Sequence, residues 1–245
     1  MPKNKEVKNS SLNNQNFIYK NFLTGLKDLK KIKTYFWFCF FVFFLIFIVG
    51  AMLPVFFEEK ILELIKELIK QTEGLSVFEL IRFIIFNNTK TAFSGVVLGI
   101  FLGIFPLAIL VINGYILGFV ANKVVISEGI FILWRLLPHG IFEIPAVLIS
   151  LALGLKLGID IMKNSIFYYN KKVNPLALSL IIIVSMLFFP VSFFIYSVLT
   201  IKEKKLRKTL YNNLVSSLRI FILIIIPLLV VAGTIEGILI FLLGG

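Results

Sequence analysis

The feature that most constrains this chain is a run of 23 consecutive residues without a charged side chain, from Tyr35 to Phe57. A helix rises about 1.5 Å per residue, so a run of this length can cross about 30 Å of hydrocarbon. Tyr35 and Trp37, at its start, are the aromatic residues typical of a membrane interface. The run and its polar lead are both too long for a signal peptide, which indicates a retained membrane span.

Composition extends this interpretation to the whole chain. Of 245 residues, 59% are hydrophobic, 16% are charged and 27 are Phe. A water-soluble domain usually carries about a quarter charged residues, and this chain is too short to bury so much apolar surface. We therefore predict an all-α, polytopic helical membrane bundle of five or six spans. It forms one membrane domain at residues 35–245, after a basic cytoplasmic arm at residues 1–34.

Four further apolar segments follow the first span, at residues 92–126, 130–157, 176–200 and 220–243. The segment 92–126 is too long for one straight span and short for two. It predicts either one kinked span or a helical hairpin, broken at Pro106 or at the Asn113-Gly114 pair. One crossing gives five spans and keeps the strongly basic loop 201–219 in the cytoplasm. Two crossings give six spans and turn that loop outward, so we favour five.

Two polar stretches have the spacing of amphipathic helices. In residues 58–73, apolar side chains share one helical face and Glu and Lys share the other, which predicts a helix at the membrane interface. In the arm, apolar residues from Ile18 to Ile32 recur at helical spacing, and the arm carries eight lysines. Its second half is therefore either a basic amphipathic helix on the membrane surface or a solvated segment. The lysines predict a cell-membrane protein with a cytoplasmic N-terminus.

Five of the polar residues inside the apolar segments are candidates for a buried site, because a charged group at the bilayer centre costs on the order of 2.5–3.5 kcal/mol. Arg135, His139 and Glu143 are four residues apart, so a helix would place them along one face. Glu236 is the acid of the last apolar segment, and Asn113 could add a hydrogen bond between helices. We predict that the five form an intramembrane polar cluster. The sequence leaves open whether the cluster binds a ligand or proton, or serves packing alone.

Glycines recur every four residues in several segments. The sets are Gly95, Gly99 and Gly103; Gly114 and Gly118; Gly154 and Gly158; and Gly233 and Gly237. On a helix, each set forms a face that lets a neighbouring backbone approach closely. We therefore predict tight helix packing at these glycines.

Enzymatic chemistry finds little support in the sequence. A single His and a single Cys exclude a structural zinc site, and the patterns HExxH, GxSxG and GxxxxGK[ST] do not occur. We predict no catalytic residue, no metal and no cofactor. The net charge is +12, and the basic residues cluster beside apolar segments. This position favours contact with anionic lipid rather than with nucleic acid. The predicted partners are the lipid bilayer and other proteins or further copies of the chain.

The run NNTKTAFSGVVLGIFLGIFPLAILVINGYILG, followed by LPHGIFEIPA, resembles the stage II sporulation protein M family of membrane proteins over residues 87–158. The most specific part is Pro138-His139-Gly140 with Glu143, and Asn113-Gly114 with Gly118 adds support. Glu236 is similar to the acid of that family's last span. The family usually has small residues just before this acid, whereas here Ile235 precedes it.

The resemblance implies a scaffold, since the sporulation member recruits cell-wall hydrolases during engulfment, although the family extends well beyond spore formers. We therefore predict a non-enzymatic component of an envelope or membrane-remodelling complex. The alternative is a small proton-coupled transporter or channel-like protein. In that case Arg135, His139, Glu143 and Glu236 would line a polar cavity, because His titrates near neutral pH.

Overall fold

A computed structural model of the protein describes residues 19–101, 103–131, 137–169 and 204–243, and its regular elements are all helices. The helices are α1 (residues 19–31), α2 (Lys33–Met52), α3 (Glu58–Thr72), α4 (Val77–Val97), α5 (Ile104–Glu128), α6 (Leu137–Tyr169), α7 (Lys204–Ile220) and α8 (Ile226–Leu243). A 3₁₀ turn, Leu98–Ile100, follows α4, and a π-helical segment, Phe221–Ile225, joins α7 to α8. The predicted segment 176–200 lies outside the described residues.

Within the described residues, five helical stretches are long and apolar enough to cross a membrane. They are Lys33–Met52, Val77–Ile100, Ile104–Glu128, Gly140–Ile161 and Arg207–Leu242. The predicted all-α, multi-span fold is therefore confirmed. The last stretch is a continuous helix that includes α7, which the sequence had assigned to the loop 201–219.

The apolar segment 92–126 is divided, but not at either predicted break. The chain turns at Gly103, whose φ of +78° favours glycine, so this residue caps α5 instead of continuing the glycine face of α4. Pro106 lies in the first turn of α5, where a missing N–H costs no hydrogen bond, and Gly114 lies inside that helix. The prediction of a break at Pro106 or at Asn113-Gly114 was wrong because neither position disturbs the helix.

α2 packs along α5 in the same direction, and glycines bring the two backbones together. A Cβ on Gly114 would lie 3.0 Å from the carbonyl oxygen of Phe43. A Cβ on Gly118 would overlap the carbonyl oxygen of Phe47, a turn further along both helices. Such approach is typical of membrane helices with small residues at the crossing.

α4 packs in parallel against α6 at a second glycine crossing. A Cβ on Gly99 would overlap backbone atoms of Gly154, and a Cβ on Gly154 would overlap the carbonyl oxygen of Gly95. A Cβ on Gly95 would lie 2.8 Å from Cδ2 of Leu151. The two helices are therefore in backbone contact over about one turn.

α8 runs antiparallel to α4 and α6. A Cβ on Gly233 of α8 would lie 2.7 Å from Cγ1 of Ile85 on α4, and a Cβ on Gly237, one turn later in α8, would lie 2.5 Å from Cγ1 of Ile81, one turn earlier in α4. At the other end, the rings of Phe221 and Phe93 are 5.5 Å apart. The directions therefore alternate along the chain: α2, α5 and α7–α8 run one way, and α4 and α6 run the other.

α1 docks on α7 through charged and polar side chains. Arg219 donates to Asp28 at 3.0 Å and to Asn21 at 3.2 Å, and Gly25 sits at the crossing, within 4 Å of the Arg219 side chain. The described part of the arm is thus a helix that packs on α7, a contact that neither of the two sequence alternatives included.

Candidate functional site

Two residues of the predicted polar cluster come together between α6 and α8. Glu143 lies near the start of α6 and Glu236 near the end of α8, and the antiparallel packing brings the two residues close enough for their charges to interact. Both side chains are half-buried inside membrane-spanning stretches. Two carboxylates repel each other in a medium of low dielectric, so the arrangement suits a shared proton, a cation or a basic side chain.

α4 forms the third wall beside this acidic pair. A Cβ on Gly237, the residue after Glu236, would lie 2.5 Å from Cγ1 of Ile81 on α4. Further along α4, the hydroxyl oxygen of Thr89 is buried and has no hydrogen-bond partner among the described residues. The acidic pair therefore lies where three helices meet, near the end of the bundle at which α4 and α6 begin.

The other predicted cluster residues are placed differently. The side chains of Arg135 and His139 lie outside the described positions, although the backbone of His139 belongs to the first turn of α6, one turn before Glu143. The side-chain amide of Asn113 donates to the carbonyl oxygen of Ile109 on its own helix at 2.8 Å. Asn113 is on α5, the helix that packs along α2, and it joins no described contact between α6 and α8.

A second polar site, at the opposite end of α6, was missed by sequence reasoning. Lys156 forms an ion pair with Asp160 one turn further along α6. From α7, Asn213 accepts from Lys156 at 3.3 Å and donates to Asp160 at 3.1 Å. The predicted apolar segment ends at residue 157, between Lys156 and Asp160, whereas α6 continues to Tyr169. The available signal was their i, i+4 spacing, which suits a Lys–Asp pair on a helix.

Buried apolar side chains fill the bundle between the two polar sites. Leu148, Leu151, Ile225 and Leu229 are each at most 1% exposed. Within this layer, Ser150 donates its hydroxyl proton to the carbonyl oxygen of Ala92 on α4, which satisfies it inside the protein. The layer therefore separates the acidic pair from the Lys156–Asp160–Asn213 site along the described helices.

The described residues contain no group of three or more His, Cys, Asp or Glu side chains that could hold a metal ion. The acidic pair contributes two carboxyl groups, and the second site joins one acid to a lysine. The arrangement therefore offers proton exchange and ion pairing as its chemistry.

A family model described as stage II sporulation protein M matches residues 34–239, which include both Glu143 and Glu236. The chain belongs to the stage II sporulation protein M family. This membership and the five apolar helices identify a multi-pass integral membrane protein. The resemblance noted in the sequence is therefore confirmed, and it extends well beyond residues 87–158.

One curated relative of the chain is an uncharacterized protein of Methanocaldococcus jannaschii. The two are 30% identical over 120 residues, which cover 45% of this chain and 52% of that protein. The chain thus spans about half the length of the curated relative it matches. No solved structure matches the chain.

Proposed function

We propose that this member of the stage II sporulation protein M family is a non-enzymatic membrane scaffold that organises other proteins of an envelope or membrane-remodelling complex. The observation that carries the proposal is the closed apolar layer between the two polar sites. Leu151 and Leu229, which belong to this layer, are fully buried. An apolar layer that fills the middle of the described helices suits a structural role better than transport.

The glycine crossings support the same proposal. At Gly99–Gly154 and at Gly118–Phe47, a single added Cβ would overlap backbone atoms of the facing helix. Helices in backbone contact have little room to slide or separate, because interiors at this packing density deform poorly. A scaffold needs this fixed geometry, since the positions of its partners depend on it.

In this proposal the acidic pair is the partner-binding face. Glu143 and Glu236 are both half-buried, so part of each residue remains accessible. A partner helix that brings a Lys or Arg to this position would neutralise the pair, which is the usual way in which an intramembrane charge is satisfied.

Purification of the full chain from native membranes in mild detergent, with quantitative mass spectrometry of what accompanies it, tests the proposal. We expect at least one stoichiometric partner, and we expect it to be lost from the double variant Glu143→Gln/Glu236→Gln. The matched control is Glu59→Gln/Glu63→Gln, two exposed acids of α3, and it should keep the partner. A wild-type chain without any stoichiometric partner would contradict the scaffold, and a double variant that keeps the partner would contradict the acidic pair as the binding face.

A specific observation also favours the second candidate, a proton-coupled transporter or channel-like protein. Two neighbouring carboxyl groups from different helices, inside membrane spans, are a common arrangement for binding a proton. Proteoliposomes with an internal pH dye test it directly. Proton flux that the wild type supports and that Glu143→Gln abolishes would favour the transporter, and absence of flux from the wild type would favour the scaffold.

A further inference from the structure

α1 and α7 are far apart in sequence, but one buried ion pair holds them together. Asp28 of α1 is 6% exposed and accepts from both Arg219 and Lys31. Burial by itself would raise the pKa of Asp28. Hydrogen bonds from Lys31 and Ser216 and the charges of Lys31 and Arg219 outweigh that effect and hold the pKa below its ordinary value. Asp28 is therefore an anion neutralised inside the contact.

Asp28 is buried and paired, so it does not offset the charge of the exposed surface. On that surface, the charged side chains described on α1 and at the start of α7 are all positive. Its exposed cations are Lys20, Lys27, Lys30, Lys31, Arg207 and Lys208. Apolar side chains lie exposed beside them, namely Phe22, Leu23, Leu26 and Leu218. These residues are hereafter the α1–α7 surface.

The position of the crossing places this surface at a membrane boundary. The helix from Lys204 to Leu243 is continuous, and 40 residues at about 1.5 Å each exceed the roughly 30 Å of a hydrocarbon core. Its apolar part is the π-helical segment and α8, so α7 extends beyond the core. Arg219, on which α1 docks, is next to the start of that apolar part. The contact therefore lies at the level of the lipid headgroups.

We infer that the α1–α7 surface binds anionic phospholipid headgroups. Basic side chains interleaved with exposed apolar ones are the pattern of helices that lie in an anionic interface, where the cations meet phosphates and the apolar side chains enter the acyl boundary. Each lysine near such a surface contributes about fivefold to the affinity, and the contribution weakens with salt. This inference does not depend on the scaffold proposal.

The experiment uses the full chain in mixed micelles of phosphatidylcholine and phosphatidylglycerol, followed by mass spectrometry of the lipids that remain bound. We expect the wild type to enrich phosphatidylglycerol and the variant Lys20→Gln/Lys27→Gln/Lys30→Gln to lose most of that enrichment. The matched control is Lys60→Gln/Lys66→Gln/Lys70→Gln on α3, three exposed lysines at the other end of the bundle. Equal losses in both triple variants would overturn the inference, as would no loss in the α1 variant.

The variant Asp28→Asn distinguishes two explanations of lipid binding: the total positive charge of α1, or α1 held in place on α7. The substitution makes α1 more positive, so charge alone would raise the enrichment of phosphatidylglycerol. If the ion pair positions α1 on α7, the same substitution lowers the enrichment, because α1 no longer stays docked on α7. An unchanged or raised enrichment would overturn the inference of a two-helix surface.

Competition with inorganic phosphate distinguishes a lipid surface from a small phosphate site. At matched ionic strength, we expect sodium phosphate and sodium chloride to reduce the phosphatidylglycerol enrichment equally. A selective loss in phosphate would show that a discrete anion site, and not a membrane surface, accounts for the binding. A thermal unfolding midpoint within a few degrees of wild type establishes that each variant is folded.

Discussion

Gly154 shows how strongly a helix crossing can depend on the absence of one side chain. A Cβ at this position would overlap the carbonyl oxygen of Gly95 and lie 2.8 Å from Cγ of Pro106. The neighbour that would have to move is partly backbone, which cannot rotate away as a side chain can. The contact between α4 and α6 therefore tolerates glycine at position 154 and little else.

We expect Gly154→Ala to destabilise the protein by about 1–3 kcal/mol, the usual cost of overpacking. Cys39 is buried and is the chain's one cysteine, so a thiol-reactive dye in a thermal scan reports unfolding. The control is Gly140→Ala on the same helix, where a Cβ would make an ordinary 3.6 Å contact with Ile144. Gly140→Ala should leave the midpoint unchanged or raise it, since Ala is the better helix former. Equal midpoints in the two variants would disprove the crossing.

Among individual residues, the sequence could predict the acids but not all of their neighbours. Glu143 and Glu236 stand out because each interrupts an apolar run, and the structure brings them together. Asn113 interrupts a run as well, yet its amide bonds to its own helix. Asn213 was invisible because it lies in a polar stretch and reaches Asp160 from another helix. Which helix faces meet is tertiary information that one sequence does not contain.

The turn between α2 and α3 is held by a side chain from α5. Phe57, the residue before α3, has a φ of +63°, a conformation that is unfavourable for a residue with a Cβ. The Tyr115 hydroxyl lies 2.7 Å from the carbonyl oxygen of Leu53 and 2.8 Å from that of Phe56, so its one proton is shared between the two acceptors. This contact fixes where α3 begins.

We expect Tyr115→Phe to loosen this turn and the start of α3. The variant keeps the ring packed against Phe57 but removes the hydrogen bond, which contributes about 1 kcal/mol. Hydrogen exchange in micelles should therefore become severalfold faster over residues 53–61 and stay unchanged in α6. Tyr211→Phe, which alters an exposed tyrosine of α7, is the control. Unaltered exchange at residues 53–61 in Tyr115→Phe would show that the hydroxyl does not hold the turn.

Helix limits were predictable where the pattern is periodic and poorly predictable where polar residues enter a span. The stretch 58–73 was assigned almost to the residue, because its apolar and charged positions alternate with helical period. The part of α4 before residue 92 was missed, since Arg82, Asn88 and Lys90 interrupt its apolar character. A capping box formed by Ser76 and Glu79 marks its start, and the S-x-x-E pattern was the sequence signal that could have found it.

The bundle as a whole has a polar contact at each end and an apolar middle. The acidic pair lies at the end where α4 and α6 begin, and both the Lys156–Asp160–Asn213 site and the docked α1 lie at the other. The charges at the two ends also differ, because α3 is nearly balanced, with four Glu and three Lys, while the exposed charges described on α1 and α7 are all cations. This asymmetry is the pattern that orients membrane proteins.

The alternation of helix directions predicts which loops share a side of the membrane. Gln71, at the end of α3, and Ser127, at the end of α5, should share one side, while Lys30 of α1 and Asn212 of α7 should share the other. All four are exposed, so single cysteines at these positions can be labelled, and the buried Cys39 leaves the wild type as an unlabelled blank.

We expect an impermeant maleimide to label Gln71→Cys and Ser127→Cys on intact cells, and Lys30→Cys and Asn212→Cys after permeabilisation. We expect the lysine-rich end to lie in the cytoplasm, because its cations resist translocation across the membrane. Positions 30 and 212, at that end, should therefore be the protected pair. Labelling of the two pairs in the reverse order would contradict the cytoplasmic N-terminus but preserve the alternation. If Lys30→Cys and Asn212→Cys differ from each other, α1 and α7 do not meet on one side. In that case the helix directions, and the contact between Asp28 and Arg219 with them, would be wrong.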